Sequence, residues 1–160
     1  MATANVNLSA FDPKQVPSGK NLSIALVVSS WNSSITENLF EGAKQTLMTC
    51  GVLPSNIKRW DVPGSFELVY GAKKALEDQP DAVIVIGSVI QGETKHFDFV
   101  CHGVTQGITT LNLTAKAPVI FCVLTDNTIQ QAEDRSGGRH GNKGVEAAVA
   151  ALQMAVLGKK

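Results

Sequence analysis

The sequence lacks the charge imbalance and the long apolar runs that mark several classes of protein. It carries 14 Lys and Arg residues against 14 Asp and Glu residues among 160. A general nucleic-acid binder or a membrane-surface binder needs an excess of basic residues, so both classes are disfavoured. No apolar stretch is long enough to span a bilayer. We therefore expect neither nucleic acid nor a membrane as a partner.

Cysteine is also scarce, and its pattern excludes two kinds of site. Cys50, Cys101 and Cys122 are an odd number of thiols, and no CxxC pair occurs. A disulfide framework or a zinc site is therefore not expected, and a reducing compartment is indicated. The first residues contain no basic region followed by an apolar run, which a secretory signal would need. Together these features predict a soluble, cytoplasmic protein.

The length and the local composition predict one domain that follows a polar amino-terminal segment. A chain of 160 residues suits one domain of ordinary size. Residues 1–20 are polar and contain Pro13, Pro17 and Gly19, a composition that favours an extended arm. We expect the folded domain at 21–160.

The order of apolar patterns along the chain predicts an α/β protein. Short β-rich runs alternate with segments of helical periodicity, and at least two of the runs are almost continuously apolar, as in strands buried on both faces. Such alternation predicts a single-domain, flavodoxin-like three-layer sandwich, in which a four-stranded parallel sheet has helices on both faces. The predicted strands are 22–28, 57–62, 82–87 and 118–124, and the predicted helices are 33–50, 65–77, 94–114, 127–135 and 142–157.

Three helix ends carry capping signals in the sequence. Ser33 or Ser34 is expected to cap the first long helix, which Gly51 should end. Asn142 is expected to open the last helix.

The unusual residues of the chain concentrate after the predicted strands. Ligands of open parallel sheets bind beyond the carboxyl ends of the strands. The segments at those ends are 29–34, 63–67, 88–96 and 125–128, and they predict a site at this edge of the sheet. They contain Trp31, Asn32, Glu67, Glu93, Thr94 and His96.

The stretch GSVIQGETKH at 87–96 is compared first with a nucleotide-binding P-loop. Gly87, Gly92 and Thr94 match that pattern, but Glu93 stands where a P-loop needs Lys. A carboxylate there would repel the phosphate that the Lys would hold, which argues against an NTPase. Two interpretations stay open: an ordinary strand-to-helix turn, or a helix start whose backbone N–H groups bind one phosphate.

Several single residues also have two interpretations each. His96 suits a general acid or base, or a surface histidine. Trp31 suits stacking on a planar heterocycle, or packing over the sheet edge. Arg135 and Lys143 suit an anion site, or cations in and beside a mobile glycine-rich loop. His96, Cys101 and His102 do not share a helical face, which argues against a metal site or a nucleophile pair.

Taken in chain order, three motifs resemble the lumazine synthase family. They are PGSFE at 63–67, GETKHFD at 92–98 and GNKG at 141–144, and the resemblance runs from about residue 22 to about residue 157. It implies condensation of 5-amino-6-ribitylaminouracil with 3,4-dihydroxy-2-butanone 4-phosphate in riboflavin biosynthesis, with no metal and no organic cofactor. The alternative is a flavin-binding, flavodoxin-like module, but such carriers are usually strongly acidic and this chain is neutral.

The resemblance also implies a role for each matching residue. Trp31 would stack on the pyrimidine, next to Asn32, and His96 would transfer protons. Phe121 and Arg135 of a neighbouring subunit would complete the site, with Arg135 on the phosphate and Lys143 as a supporting cation. Ser65, Phe66 and Glu67 would line the ribityl pocket, Ser88, Val89 and Ile90 would hold the ring edge, and Glu93 and Thr94 would offer backbone N–H groups to the phosphate.

Assembly and three departures from the family pattern follow from the same resemblance. Family members form homopentamers, some of which build a sixty-subunit shell, and riboflavin synthase is a suggested partner. Trp31 stands where many members have Phe, so a larger ring would favour flavin binding. Ser30 and Gln91 stand where some members have Arg, which removes positive charge near the pocket.

Overall fold

The structure, a computed structural model, describes residues 7–157. It alternates strands and helices along most of the chain, with short 3-10 helices at Pro13–Gln15 and Pro54–Asn56. The elements are β1 (Ile24–Ser29), α1 (Ser33–Thr49), β2 (Ile57–Val62), α2 (Leu68–Leu76), β3 (Ala82–Ile90), α3 (His96–Thr114), β4 (Val119–Asp126), α4 (Ile129–Arg135), β5 (Ser136–Gly138), β6 (Gly141–Asn142) and α5 (Lys143–Ala155).

The main sheet has four parallel strands in the order β2-β1-β3-β4. Ile24 of β1 lies opposite Ile57 on one side and Ala82 on the other. Every residue of β1 is buried, as are the first seven residues of β3, because helices cover these central strands on both faces. The predicted α/β sandwich with a four-stranded parallel sheet is confirmed.

Two apolar clusters form the core, one on each face of the sheet. Leu39 of α1 and Leu152 of α5 pack on one face, against Leu26 and Ile84 of the central strands. Leu68 of α2 packs on the other face with residues of α3 and of both central strands. The members on the second face include Val27, Val83, Val85, Val104 and Ile108.

Most element boundaries agree with the prediction, and the exceptions have physical causes. The predicted cap at Ser33 or Ser34 is wrong, since α1 is preceded by Asn32 in a left-handed conformation (φ 59°). Asn tolerates this conformation better than most residues. Gly51, at φ 95°, ends the same helix as predicted. The third strand continues to Ile90, because its last residues pair with the end of β4.

The glycine-rich segment after α4 forms a short antiparallel hairpin of β5 and β6. Ser136 pairs with Asn142, and Gly138 pairs with Gly141. Asn142 then opens α5 as predicted, and its side chain accepts a hydrogen bond from the backbone N–H of Gly144 at 2.8 Å. The hairpin leads directly from the end of α4 into α5.

The predicted arm at 1–20 lies partly outside the described residues. Its described part runs along the domain surface, where the backbone N–H of Leu8 donates to the carbonyl oxygen of His140 at 2.8 Å. Phe11 and Val16 pack against the core cluster on the α1 and α5 face. Within residues 7–157, no helix has the length and apolar character needed to cross a membrane.

Candidate active site

A cavity of about 590 Å³ opens at the carboxyl ends of β1 and β3, where the sheet topology predicts a ligand site. It brings together residues from four segments of the chain that are distant in sequence. The lining consists of Trp31, Asn32, Gly64, Ser65, Phe66, Glu67, Ser88, Val89, Ile90, His96, Phe99 and Val100.

Trp31 and Asn32 are positioned by backbone bonds that extend the sheet beyond β1. The N–H groups of Ser30 and Trp31 donate to the carbonyl oxygens of Val62 and Pro63, at 2.9 Å and 3.1 Å. The side-chain Nδ2 of Asn32 donates to the carbonyl oxygen of Ser88 at 3.0 Å and so joins the end of β1 to β3. Trp31 is 73% exposed at the cavity, so its ring is not packed over the sheet edge of its own chain.

Two serine hydroxyls in the cavity wall have no hydrogen-bond partner among residues 7–157. Ser65, in the turn before α2, and Ser88 of β3 are buried, and no hydrogen bond is found for either Oγ among the described residues. Gly87 allows Ser65 to approach, since a Cβ at Gly87 would lie 2.7 Å from its Oγ. A buried polar group without a partner costs about 1–3 kcal/mol, so a ligand that bonds to these hydroxyls would recover stability.

His96 begins α3 at the rim of the cavity. Its backbone N–H donates to Oγ1 of Thr94 at 3.3 Å, and its exposed ring makes no hydrogen bond within the part of the chain described. The ring nitrogens are therefore accessible to a bound substrate. Glu93 and Thr94 lie in the exposed turn between β3 and α3, outside the cavity lining.

Phe99 and Val100 were not predicted as site residues. They follow His96 by three and four positions on α3, a spacing that places all three side chains on one helical face. All three line the cavity, and Phe99 is 73% exposed. The sequence signal for this part of the cavity is Phe99 itself, an aromatic residue three positions after the candidate catalytic residue His96.

The predicted residues Phe121, Arg135 and Lys143 do not line this cavity. Phe121 lies on the edge strand β4 and is 37% exposed. Lys143 Nζ donates to Oε1 of Glu146 at 2.6 Å, so its charge is already paired. One chain therefore brings only part of the predicted site together.

Arg135, at the end of α4, is held by two groups of its own chain. Its Nη1 donates to the carbonyl oxygen of Gln131 at 2.9 Å and lies 3.7 Å from Oδ1 of Asp126. Burial raises the pKa of Asp126, and the positive charge of Arg135 partly opposes this effect. The guanidinium group keeps further N–H donors for an anion.

Comparison with known proteins assigns the family. Residues 21–159 match the family described as 6,7-dimethyl-8-ribityllumazine synthase. The chain belongs to this family. A 6,7-dimethyl-8-ribityllumazine synthase of Flavobacterium psychrophilum is 61% identical over 98% of this chain and 84% of its own. Proteins of the same name from Flavobacterium johnsoniae and Parabacteroides distasonis are 62% and 57% identical, covering 98% and 96% of this chain and 83% and 97% of their own.

Membership of the family confirms the main functional prediction. The chain is an enzyme, a transferase of riboflavin biosynthesis. The alternative of a flavodoxin-like electron carrier finds no support in these relatives. Among residues 7–157, no group of three or more His, Cys, Asp or Glu side chains is arranged to hold a metal ion.

Proposed function

We propose that the chain condenses 5-amino-6-ribitylaminouracil with 3,4-dihydroxy-2-butanone 4-phosphate to form 6,7-dimethyl-8-ribityllumazine, phosphate and water. The observation that carries the proposal is one cavity that combines an exposed indole, an accessible histidine ring and two serine hydroxyls that have no partner in the described part of the chain. The substrate amine is itself the nucleophile, so the reaction needs no activated Ser or Cys. It needs orientation of two substrates, one proton-transfer group and cationic stabilisation of the leaving phosphate.

The cavity residues divide between the two ends of the ribitylaminouracil. The Trp31 indole would stack on the pyrimidine ring. The ribityl chain would lie in the wall formed by Ser65, Phe66 and Glu67, where its hydroxyls would donate to the Glu67 carboxylate. The ring edge would form hydrogen bonds with the backbone of Ser88, Val89 and Ile90. These three residues are the end of β3 and line the cavity.

The second substrate carries the charge, and its site would need a second subunit. Backbone N–H groups at Glu93 and Thr94 suit a phosphate at the start of α3. Arg135 of a neighbouring subunit would bind the same phosphate through its remaining N–H donors, beside Phe121. Support comes from the position of Arg135 and Phe121 outside the cavity of their own chain. Lys143, which is paired with Glu146, would contribute only long-range positive charge.

The assembly that would share sites in this way is a homopentamer, with a sixty-subunit shell as a larger form. Support comes from large apolar side chains on the surface of one chain, a feature of surfaces that meet a partner. Riboflavin synthase is the proposed protein partner, and the cytoplasm is the proposed location. The exposed apolar residues include Tyr70, Phe99, Leu113 and Phe121.

The direct experiment mixes the purified protein with both substrates and follows lumazine absorbance against a blank without enzyme. Clear acceleration is expected, and its absence with verified substrates would refute the proposed reaction.

Site sharing has its own test. The His96→Ala and Arg135→Ala variants are refolded together in equal amounts. Random mixing should give about one quarter of sites with both residues intact, because each site would draw one residue from each of two neighbouring subunits. If the refolded mixture were no more active than the average of the two variants alone, sharing would be excluded.

A further inference from the structure

Gly103 of α3 lies behind the aromatic wall of the cavity. A Cβ built at Gly103 would lie 2.7 Å from Cε2 of Phe66, 3.3 Å from its Cδ2 and 3.7 Å from its Cζ. Real Cβ atoms almost never approach another heavy atom to within 3.0 Å. The ring therefore occupies space that any side chain at position 103 would claim.

The Phe66 ring is the part of this contact that would yield. Phe66 is 58% exposed in the single chain and lines the cavity, so residues 7–157 of its own chain leave the side of the ring away from α3 open. By contrast, Gly103 belongs to a 19-residue helix whose buried residues, Val104 and Ile108, anchor it to the sheet. A methyl group at Gly103 would consequently push the ring away from α3 and into the cavity.

We propose that Gly103 is a positioning residue for the Phe66 ring, and that it keeps the cavity wide enough for the ribitylaminouracil. Gly103 does not line the cavity and touches no substrate in this arrangement; it acts through Phe66. This inference rests on the proposed function, which places the ribityl chain beside Phe66. It also explains why the middle of a long helix tolerates a glycine, which costs about 1 kcal/mol relative to alanine.

Gly107 supplies a matched control on the same face of α3, one turn further along. A Cβ there would lie 2.6 Å and 2.7 Å from the two Cγ atoms of Val69, which belongs to α2. The crowding is as severe as at Gly103, but neither Gly107 nor Val69 lines the cavity. If crowding along α3 changed the kinetics in a general way, both glycine variants would show the change. A change that acts through the cavity should appear in Gly103→Ala alone.

The test compares Gly103→Ala with Gly107→Ala in steady-state kinetics. For Gly103→Ala we expect the KM for ribitylaminouracil to rise about tenfold. The reason is that the Phe66 ring would be forced off its preferred rotamer and into the space proposed for the ribityl chain. The kcat and the KM for the butanone phosphate should stay within about twofold, a change too small to reflect a lost contact. Gly107→Ala should leave both KM values unchanged. An unchanged KM in Gly103→Ala, or an equal rise in both variants, would overturn the proposal.

A second background separates positioning from a general structural effect. In the Phe66→Leu variant the ring is absent, so adding Gly103→Ala should change the KM no further. If the same rise appeared in this background, Gly103 would act by another route and the proposal would fail. Loss of the wild-type assembly in Gly103→Ala, measured by analytical ultracentrifugation, would also overturn the proposal. Gly103 would then act in the contact between subunits and not through the Phe66 ring.

A crystal structure of Gly103→Ala tests the geometry independently of turnover. Displacement of the Phe66 ring toward the cavity, with α3 in place, is the expected result. A ring in its original position beside a shifted helix would overturn the inference. If the wild-type protein formed no lumazine, the proposed function would fail, and this structural comparison would still decide the role of Gly103.

Discussion

Asn142 joins three elements of the fold, and its replacement by alanine should destabilise the protein measurably. Its Oδ1 accepts from the N–H of Gly144 at 2.8 Å and caps α5. Its Nδ2 donates to the carbonyl oxygen of Asn38 in α1 at 2.8 Å and to that of Ser136 in the hairpin at 3.3 Å. Loss of a cap costs about 1 kcal/mol. Each of the other two bonds adds about 0.5–1 kcal/mol, which gives about 2–3 kcal/mol in total.

The assay is equilibrium unfolding in denaturant, with thermal unfolding as a second measurement. A loss of about 2–3 kcal/mol should lower the Tm by about 5–10 °C in a domain of this size. Both measurements need a fixed protein concentration, because assembly stabilises the folded chain by mass action.

Asn38→Ala is the matched control for this prediction. No hydrogen bond of the Asn38 side chain is found within residues 7–157, and the variant keeps the carbonyl oxygen that Asn142 uses. It should change the free energy of unfolding by no more than about 0.5 kcal/mol, as is usual for surface substitutions. The reasoning would be refuted if Asn142→Ala were as stable as the wild type, or if Asn38→Ala were destabilised equally.

Three further predictions concern catalysis, thiol reactivity and acid stability. Arg135→Ala should reduce turnover more than His96→Ala, because water can supply protons to imine chemistry while the phosphate contact has no substitute; near wild-type turnover in Arg135→Ala would contradict its role. Burial raises the pKa of Cys122 to about 12, so iodoacetamide at pH 8 should leave this thiol unmodified in the native protein, as mass spectrometry of its peptide can show. A side-chain hydrogen bond from Arg59 lowers the pKa of Glu37 below 4.5, so the stability from this pair is present above that pH and is lost as the pH falls through the lower, folded-state value. Denaturant midpoints measured from pH 6 to pH 3 should therefore fall less in Glu37→Gln than in the wild type, and equal falls would argue against the contribution.

The strands and most helices could be predicted because their signals are local. Near-continuous apolar runs identify the two central strands, since both faces of those strands are buried. The last part of β3 was missed because Ser88 and its neighbours are defined as strand by pairing with β4, which is not a local property. The sequence also does not reveal the cap of α1. Capping signals rest on side-chain hydrogen bonds, whereas Asn32 has a left-handed backbone and makes no side-chain cap bond.

Prediction of the candidate site depended on topology as well as on motifs. Carboxyl ends of adjacent parallel strands meet at one edge, so Trp31 and Ser88 could be expected in one cavity before any family resemblance was considered. Phe99 belongs to the same cavity, and its place there follows from helical spacing, since it lies three residues after His96 on α3. No local pattern in the sequence indicates whether Arg135 and Phe121 belong to the site of their own chain or to that of a neighbouring subunit. Their role stays a prediction.

The GNKG segment at 141–144 has a packing role in this fold. Asn142 holds α1, the hairpin and α5 together, as its three side-chain bonds indicate. A Cβ at Gly144 would overlap the carbonyl oxygen of Leu39 in α1, so only glycine permits the close approach of the two helices. Lys143, the one charged residue of the motif, pairs with Glu146. Asn142 and Gly144 thus fix how α5 enters the fold, and Asn142 also holds the hairpin that follows Arg135. The motif would therefore serve catalysis at a distance, by holding the hairpin that begins directly after Arg135, the residue proposed to bind the phosphate.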